Sequence, residues 1–435
     1  MATGTSLSDV FPFGSRLNER GRLEVGGCDA IELAREFGTP AYVVAEDDLR
    51  SRARSFMQAG RDAAHNDFHV VFASKAFPCT AVLELLAREG LWCDVASGGE
   101  LHLALTAGFS PEQIVVHGNA KSEAELRMAL RHRVGLIVLD NFDEIDRLER
   151  LLAEGAAGGA AGSDAVLGGQ PVLVRVAPGV RGETHEKIST GQADSKFGFA
   201  MAQAGEALAR VERVEGLALR GLHAHIGSQL LDLESFRREA AELARLGDFP
   251  VWNLGGGLGV RYTEHQPPPP SIEEYVGAVV AAAHAHGRGA DRRLLIEPGR
   301  ALSANAGVTL YTVESVKRNV SRWVAVDGGM SDNLRPMLYG AVYEAHVADR
   351  FRGASECVLV GKHCESGDVI VRDARLEDPK AGDVIVTPAT GAYGYAMANN
   401  YNGVPRPPVI FCRDGDARVV ARRESFDDLT ARDVV

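Results

Sequence analysis

The sequence has few lysines, no long apolar run and no surplus of positive charge. Seven lysines occur in 435 residues, and the formal net charge is −12 at pH 7. An acidic chain repels the phosphates of nucleic acids and of anionic membrane surfaces. No stretch approaches the roughly 18 apolar residues that span a bilayer, and the N-terminus lacks the features of a secretion signal. We therefore expect no nucleic-acid partner, no membrane contact and no secretion.

The six cysteines are scattered, without a Cys-x-x-Cys pair or a close cluster of cysteine and histidine. Zinc sites and disulfide frameworks require such close spacing. The pattern therefore predicts no metal site and favours a reduced, cytoplasmic setting. The cysteines are Cys28, Cys79, Cys93, Cys357, Cys364 and Cys412.

Short apolar segments alternate with helix-compatible segments through most of the chain. Strands that are separated by helices pair in parallel, and eight strand–helix units close a (β/α)8 barrel. The predicted fold class is therefore α/β, with a barrel at residues 46–303. The eight predicted strands are His69–Ser74, Trp92–Ser97, Ile114–Asn119, Gly135–Asn141, Pro171–Pro178, Leu219–Gly227, Val251–Gly257 and Arg292–Arg300.

After residue 303 the pattern changes to strands without long helices, which predicts an all-β domain, a sandwich or barrel, at residues 304–435. Because Ala41–Val44 also has a strand pattern, we expect residues 1–45 to pack with this domain. The composition of Gly155–Gly169 predicts a flexible surface loop. The predicted C-terminal strands are Val308–Val316, Trp323–Val326, Cys357–Val360, Val369–Val371, Val384–Val386 and Val409–Cys412.

Polar residues and glycines follow the predicted barrel strands, where barrel enzymes build their active sites. Lys75 alone among the lysines directly follows such a strand, so we expect its amine at the edge of the core, where desolvation lowers its pKa. A snorkelling or ion-paired lysine is the simpler alternative. The strand-end residues are Lys75, Asp94, Ser97, His117, Asn119, Asp140, Arg175, His225, Ser228, Gly255, Gly256, Gly257, Glu297 and Arg300.

Three of these strand ends suit the parts of a phosphorylated, ring-shaped cofactor. The glycines 255–257 could form a nest of backbone N–H groups around a phosphate, although a tight turn is the commoner role of such a run. The ring of His225 could stack on a flat cofactor. A buried Glu297 needs a facing cation, and a protonated pyridine nitrogen would be one. With the Lys75 amine, these features predict pyridoxal phosphate.

The pattern His223-Ala224-His225 permits two other interpretations. Two histidines on one strand face are also typical of a metal-dependent hydrolase. Such a site needs further ligands, and the cations Lys75, Arg175 and Arg300 would crowd a metal ion. A hydrogen-bonded core histidine is the third interpretation.

Six motifs occur in the order found in the diaminopimelate decarboxylases, a group of the alanine-racemase-like, fold-type III pyridoxal-phosphate family, which the chain therefore resembles. The resemblance covers about residues 39–408, and no motif departs from the family pattern. The motifs are Phe72-Ala-Ser-Lys75-Ala76, His225-Ile-Gly-Ser-Gln229, Gly255-Gly-Gly-Leu-Gly259, Glu297-Pro-Gly-Arg300, Cys364-Glu-Ser-Gly-Asp368 and Gly391-Ala-Tyr-Gly-Tyr395 with Asn400-Tyr-Asn402.

The resemblance implies a role for each of these residues. Lys75 would carry pyridoxal phosphate as a Schiff base, His225 would stack on its ring, and Glu297 would hold its pyridine nitrogen. Cys364 would return a proton to the substrate carbon, and Glu365 would meet the distal amine. The other implied cofactor residues are Asp94, Arg175, Ser228, Gly255, Gly256, Gly257, Pro298, Gly299, Arg300 and Tyr393, and the implied substrate residues are Arg300, Arg335, Tyr339, Glu365 and Tyr393.

The implied reaction is decarboxylation of meso-2,6-diaminopimelate to L-lysine and CO2, the last step of lysine biosynthesis. In the family the segment around Cys364 reaches the active site of the partner subunit, so a homodimer with shared active sites is implied. Arg300, Arg335 and Glu365 favour a substrate with a second amino-acid head over ornithine, arginine or another amino acid. A protein that bound the cofactor without turnover would have no use for Cys364 as a proton donor.

Overall fold

The computed structural model describes residues 7–63, 65–157, 169–180, 195–353 and 355–434. Two compact units are present. We call Ala53–Gly259 with Pro269–Gly299 the barrel unit, and Met1–Arg52 with Val260–Pro268 and Arg300–Val435 the β unit. The domain limits 1–45, 46–303 and 304–435 stay a prediction.

The barrel unit contains eight parallel strands that close on themselves, which confirms the predicted fold class. Neighbouring strands pair in chain order, and the last strand pairs with the first. Each of the predicted barrel strands is present, and most end before the polar residues that follow them. The strands are Phe68–Ala73, Trp92–Val95, Ile114–Val116, Leu136–Leu139, Gln170–Ala177, Leu217–His223, Val251–Asn253 and Arg293–Ile296, and Phe199–Ala200 pairs beside Gln170–Ala177.

Helices alternate with these strands, as the sequence predicts. The helix Ile272–His284 begins at Ser271 in a capping box, because the Glu274 N–H donates to Ser271 Oγ at 3.1 Å while the Ser271 N–H donates to Glu274 Oε2 at 2.8 Å. The main helices are Glu46–Asp62, Thr80–Arg88, Gly98–Thr106, Glu123–His132, Phe142–Ala157, Met201–Glu212, Glu234–Ala244 and Ile272–His284, with short turns at Ser74–Ala76, Pro111–Gln113 and Gly289–Asp291.

Branched apolar side chains fill the centre of the barrel. Successive side chains of a strand point to opposite faces, so alternate residues of neighbouring strands meet in one cluster. This packed interior leaves the strand ends as the place for polar groups. The cluster contains Val71, Val115, Leu136, Val138, Leu173, Val251 and Leu295.

The β unit is built on a nine-stranded mixed sheet. The strand Ala41–Ala45 lies inside this sheet, antiparallel to Gly307–Arg318 and parallel to Val409–Arg413, so the N-terminal strand joins the C-terminal sheet as expected. The other strands of this sheet are Arg322–Val326, His346–Val347, Ser355–Val360, Val369–Leu376, Val384–Thr387 and Asp416–Ala421. A second sheet contains Arg16–Leu17, Leu23–Val25 and Cys28–Asp29, and the helices are Ala30–Phe37, Arg300–Ser303, Arg335–Tyr339, Gly394–Met397 and Phe426–Thr430, with a short turn at Tyr401–Gly403.

The segment Gly155–Gly169 falls almost wholly outside the described residues. Gly155 belongs to the helix Phe142–Ala157 rather than to the predicted loop. Among the helices that the structure describes, none is long and apolar enough to cross a membrane.

Candidate active site

The Glu297 carboxylate is the best-connected acidic group at the strand ends of the barrel unit. It follows the strand Arg293–Ile296 and is 7% exposed. His117 Nε2 lies 2.7 Å from Oε1, and His223 Nε2 lies 3.2 Å from Oε2. The Asn253 side-chain amide donates to Oε1 at 2.6 Å. Residues from four strand ends therefore converge on one carboxylate.

These contacts keep Glu297 ionised. Burial alone would raise its pKa, but the rings of His117 and His223 lower the pKa well below the usual glutamate value. Burial lowers the pKa of His223 to about 3, so this ring is neutral and its Nε2 can donate to the carboxylate. A buried carboxylate of this kind can pair with a protonated pyridine nitrogen.

His225 offers a neutral, half-buried ring just beyond the strand Leu217–His223. The Gly256 N–H donates to His225 Nδ1 at 3.1 Å, so in the neutral ring the proton lies on Nε2. Burial lowers the pKa of His225 well below its ordinary value, and the charges of Lys75 and Arg175 lower it further. An uncharged imidazole is suited to stack on a flat aromatic cofactor.

The glycines beside His225 lie where a side chain would not fit. Gly255 has a φ of +57°, and a Cβ there would lie 2.8 Å from His225 Nδ1. At Gly256 a Cβ would lie 2.1 Å from the Glu297 carbonyl oxygen, and at Gly257 it would lie 2.7 Å from the Gly227 carbonyl oxygen. The Gly255 N–H donates to Asn253 Oδ1 at 3.0 Å. Two of the three N–H groups that we predicted for a phosphate thus have partners within the protein, and their phosphate role stays a prediction.

Lys75 lies in the turn Ser74–Ala76 directly after the strand Phe68–Ala73. Its side chain is exposed, because the strand ends at Ala73 and the turn follows it. The position of the amine at the edge of the core and its lowered pKa stay predictions. A Cβ at Gly299 would lie 3.0 Å from Ala73 Cβ, which shows how closely the chain after Glu297 approaches this strand.

Asp94 is a second buried carboxylate beside this group. Its Oδ1 lies 3.8 Å from His117 Nε2. Burial raises the pKa of Asp94 to about 6, His117 and Lys75 oppose this rise, and Glu297 adds to it. The charge of Glu297 therefore acts on Asp94, although the pKa of Asp94 is raised and that of Glu297 is lowered.

Arg175 is also buried at this end of the barrel, and its guanidinium lies 4.6 Å from the centre of the Phe197 ring. Asp140 accepts a hydrogen bond from the Gly198 N–H at 2.9 Å. Ser228 is half-buried, and Pro298 is buried. Ser97 has a structural role instead, because it caps the helix Gly98–Thr106 by accepting from the Glu100 N–H.

The β unit contains a second group of predicted site residues, centred on two buried arginines. Arg300 and Arg335 are each 6% exposed. Their guanidinium carbons lie 4.9 Å and 5.8 Å from the centre of the Tyr393 ring. Within the described residues, no carboxylate lies within ion-pair distance of Arg335. Tyr339, at the end of the helix Arg335–Tyr339, is half-buried.

The loop that carries Cys364 presents its thiol to solvent. Cys364 is exposed, whereas the other five cysteines are buried, so it is not an ordinary core thiol. The Cys364 N–H donates to Asn402 Oδ1 at 2.9 Å, and His363 Nδ1 lies 2.7 Å from Asp368 Oδ2. These contacts fix both ends of the loop. Glu365 is half-buried and accepts from the Gly367 N–H at 3.2 Å.

Four residues contact the predicted site residues, and the sequence did not predict these contacts. His223 and Asn253 hold Glu297, while Tyr262 and Tyr343 contact Arg300 and Arg335 through their hydroxyl groups. The position of His223 and Asn253 as the last residues of their strands is a signal that could have identified them. Tyr262 and Tyr343 follow no such pattern.

Among the described residues, one group of histidine, cysteine and acidic side chains could hold a metal ion: His117, His223 and Glu297, whose ligand atoms lie within 4.8 Å of one another. His225 does not join this group, so the pair His223-Ala224-His225 does not present two ligands to one point. Hydrogen bonds to Glu297 account for both histidines in the group, which disfavours the hydrolase interpretation.

Pyridoxal phosphate fits the barrel-unit group on three observations. Glu297 is a buried, ionised partner for a pyridinium nitrogen. His225 is an uncharged ring, and the glycines beside it lie where a Cβ would collide with the backbone or with that ring. The family model of the pyridoxal binding domain of pyridoxal-dependent decarboxylases matches residues 47–304. The class is therefore that of the pyridoxal-dependent decarboxylases.

Relatives over nearly the whole chain define the family more closely. The sequence is 46% identical to the diaminopimelate decarboxylase of Bacillus subtilis over 97% of each chain. The crystal structure of diaminopimelate decarboxylase from M. jannaschii has 31% identity and a TM-score of 0.89 over 98% of each chain. A structure of that enzyme in complex with L-lysine has a TM-score of 0.88 over the same share of each chain. The chain belongs to the diaminopimelate decarboxylase family.

Proposed function

We propose that this chain removes the carboxylate at the D-configured centre of meso-2,6-diaminopimelate and releases L-lysine and CO2. One observation in the site carries the proposal most directly. The convergence of His117, His223 and Asn253 keeps Glu297 ionised in a buried position, as a pyridoxal-dependent reaction requires. The names of the curated relatives support the choice of substrate.

Pyridoxal phosphate supplies an electron sink for the electron pair that remains on the substrate carbon when CO2 leaves. Lys75 would hold the cofactor through its amine. The Glu297 carboxylate would face the ring nitrogen and favour its protonated form. His225 would lie against the ring without adding a charge. Asp94, Arg175, Ser228, Pro298 and the glycines 255–257 and 299 complete this group in our assignment.

Arg300 and Arg335 bind the substrate carboxylates in this proposal. A buried guanidinium without a carboxylate partner is costly, and an anionic ligand removes that cost for Arg335. Arginine also suits the task because its planar fork makes paired hydrogen bonds to a carboxylate. Tyr339 and Tyr393 add hydroxyl groups, and the Glu365 carboxylate meets the distal ammonium group.

Cys364 returns a proton to the substrate carbon after CO2 has left, and we assign this thiol to the active site of a partner subunit. Exposed apolar side chains adjoin its loop. Met337 is 48% exposed, and a Cβ at Gly367 would lie 3.4 Å from its methyl carbon. Tyr401 is 42% exposed and stacks on His363. Exposed apolar patches of this kind are typical of protein interfaces. A second copy of the chain is the occupant that we propose.

Mixing two inactive variants tests the shared site. Heterodimers of Lys75→Ala and Cys364→Ala chains contain one active site with both native groups, so random reassortment restores about a quarter of wild-type activity. Two copies of the same variant give no such recovery. If the mixture stays inactive while native mass spectrometry of differently tagged chains shows mixed dimers, Lys75 and Cys364 act from the same chain.

The alternative is a related decarboxylase of ornithine, arginine or another amino acid. A lysine/ornithine decarboxylase of Vibrio vulnificus has 22% identity and a TM-score of 0.72, which shows a shared fold alone. CO2 release from meso-diaminopimelate, ornithine and arginine by the cofactor-loaded protein decides between them. Release from ornithine or arginine without release from diaminopimelate contradicts the proposal, and release from none indicates a protein that binds the cofactor without turnover.

The cytoplasmic setting stays an inference from the unpaired cysteines.

A further inference from the structure

Two tyrosines hold the buried arginines of the β unit. Arg300 donates from one terminal nitrogen to the Tyr262 hydroxyl oxygen, and Arg335 donates to the Tyr343 hydroxyl oxygen. Tyr262 is 4% exposed and Tyr343 is 2% exposed. Each guanidinium therefore has a buried phenol oxygen as a hydrogen-bond acceptor.

The two pairs form one cluster. The rings of Tyr262 and Tyr343 pack edge to face with centroids 5.2 Å apart. The Arg335 guanidinium lies 4.8 Å from the Tyr262 ring centre and 5.6 Å from that of Tyr343. Tyr262 thus contacts both arginines, one through its hydroxyl and the other through its ring face, which attracts a cation.

Tyr262 and Tyr343 differ in the direction in which their pKa values are shifted. Burial would raise the pKa of Tyr262, but Arg300 and Arg335 lower it below the ordinary tyrosine value. Burial raises the pKa of Tyr343 to about 12, although Arg335 opposes the rise. The charges of the two arginines therefore outweigh burial at Tyr262, whereas burial outweighs them at Tyr343.

We propose that Tyr262 and Tyr343 are positioning residues that hold Arg300 and Arg335 as a pair for the carboxylate of the substrate. This role rests on the proposed function, in which these arginines bind the substrate. Two cations repel each other in a buried space, and a phenol oxygen on each keeps the forks in place before the anion arrives. Neither tyrosine takes part in the proton or bond changes.

Tyr262→Phe is the direct test. It removes one hydrogen bond to a charged group and keeps the ring, so we expect the KM for meso-diaminopimelate to rise by about tenfold. Lys75, His225 and Glu297, which we assign to the amine link, the ring face and the ring nitrogen of the cofactor, are not members of this cluster. The visible absorbance of the cofactor should therefore not change, and kcat should stay within about twofold of wild type. Tyr343→Phe should raise KM in the same direction.

Tyr275→Phe is the matched control. Tyr275 is a fully buried tyrosine of the barrel unit whose hydroxyl has no hydrogen-bond partner among the described residues. Its loss tests whether removal of any buried tyrosine hydroxyl changes KM. We expect the control to keep the wild-type KM.

Titration calorimetry with L-lysine on the holoenzyme gives a readout that needs no turnover. We expect Tyr262→Phe to weaken L-lysine binding by about tenfold, because the carboxylate of this probe meets the same arginines. An unchanged L-lysine affinity in Tyr262→Phe overturns the inference, as does an equal fall in kcat and in bound cofactor. If the wild-type protein releases no CO2 from diaminopimelate, the proposed function fails, and L-lysine binding alone still decides the role of Tyr262.

Discussion

Glu239 should destabilise the folded chain at neutral pH, and removing its carboxylate should stabilise it. The residue lies on the helix Glu234–Ala244 and is fully buried. Neither carboxylate oxygen has a hydrogen-bond partner among the described residues. Burial raises the pKa of Glu239 well above the ordinary value, and the nearby negative charge of Glu297 raises it further. The folded state therefore prefers this side chain protonated.

The size of the effect follows from proton linkage. Below the ordinary glutamate pKa of about 4.3, the folded and the unfolded chain both hold the proton, and Glu239 carries no charge penalty. Between that value and the raised pKa of the folded state, only the folded chain holds the proton. In this window the wild-type free energy of unfolding loses about 1.4 kcal/mol per pH unit through Glu239. A Glu239→Gln variant cannot titrate and lacks this loss.

Urea unfolding from pH 4 to pH 8, followed by circular dichroism, measures the difference. We expect the free energies of unfolding of the two proteins to differ by a constant amount near pH 4. As the pH rises, the free energy of unfolding of the variant should increase relative to that of the wild type. Glu234→Gln on the same helix is the control, because the Glu234 side chain is 56% exposed and its ion pairs with Arg237 and Arg238 lie at the surface, where they contribute little. A wild-type and Glu239→Gln difference that does not change with pH refutes a protonated, buried Glu239.

Three substitutions test the assigned catalytic group. Lys75→Ala should leave a protein that loses the visible absorbance of the cofactor on gel filtration, whereas Lys317→Ala, at an exposed lysine of the β unit, should retain it. Cys364→Ala should keep that absorbance, and its kcat should fall by about 100-fold or more. Cys357→Ala, which removes a buried thiol, should not lower kcat in this way. If Cys364→Ala keeps its kcat, the thiol does not have the assigned role. Glu297→Gln removes the ionised carboxylate, so the dissociation constant of the cofactor should rise at least about 30-fold, and unchanged retention would contradict the pairing with the ring nitrogen.

Periodicity was enough to predict the barrel. Each strand is a short, largely apolar segment with polar residues or glycines at its end or shortly after it, so both the eight strands and the end of the barrel that carries the chemistry could be predicted from the sequence. Ser271 and Glu274 show the same for a helix start, because a capping box depends only on local spacing. The strand Asp416–Ala421 was not predicted, because it is largely exposed and begins with a polar residue, so it lacks the apolar pattern of the other strands.

Contacts between distant residues could not be predicted in this way. Asn253 and Glu297 are 44 residues apart, and only closure of the barrel brings the amide to the carboxylate. Tyr262 lies in a segment that leaves the barrel unit and joins the β unit, so its contact with Arg300 depends on the path of the whole chain. The exposure of Lys75 also depends on where one strand ends, which periodicity determines only to within a few residues.

The fate of one labelled carboxylate shows whether this chain decarboxylates meso-2,6-diaminopimelate at its D-configured centre. Meso-2,6-diaminopimelate that carries ¹³C in the carboxylate of its D-configured centre is incubated with the cofactor-loaded protein, and the products are followed by NMR. We predict that the label leaves as CO2 while unlabelled L-lysine forms in equal amount. Label that stays in the amino acid, or an absence of CO2 release with cofactor bound, would contradict the account.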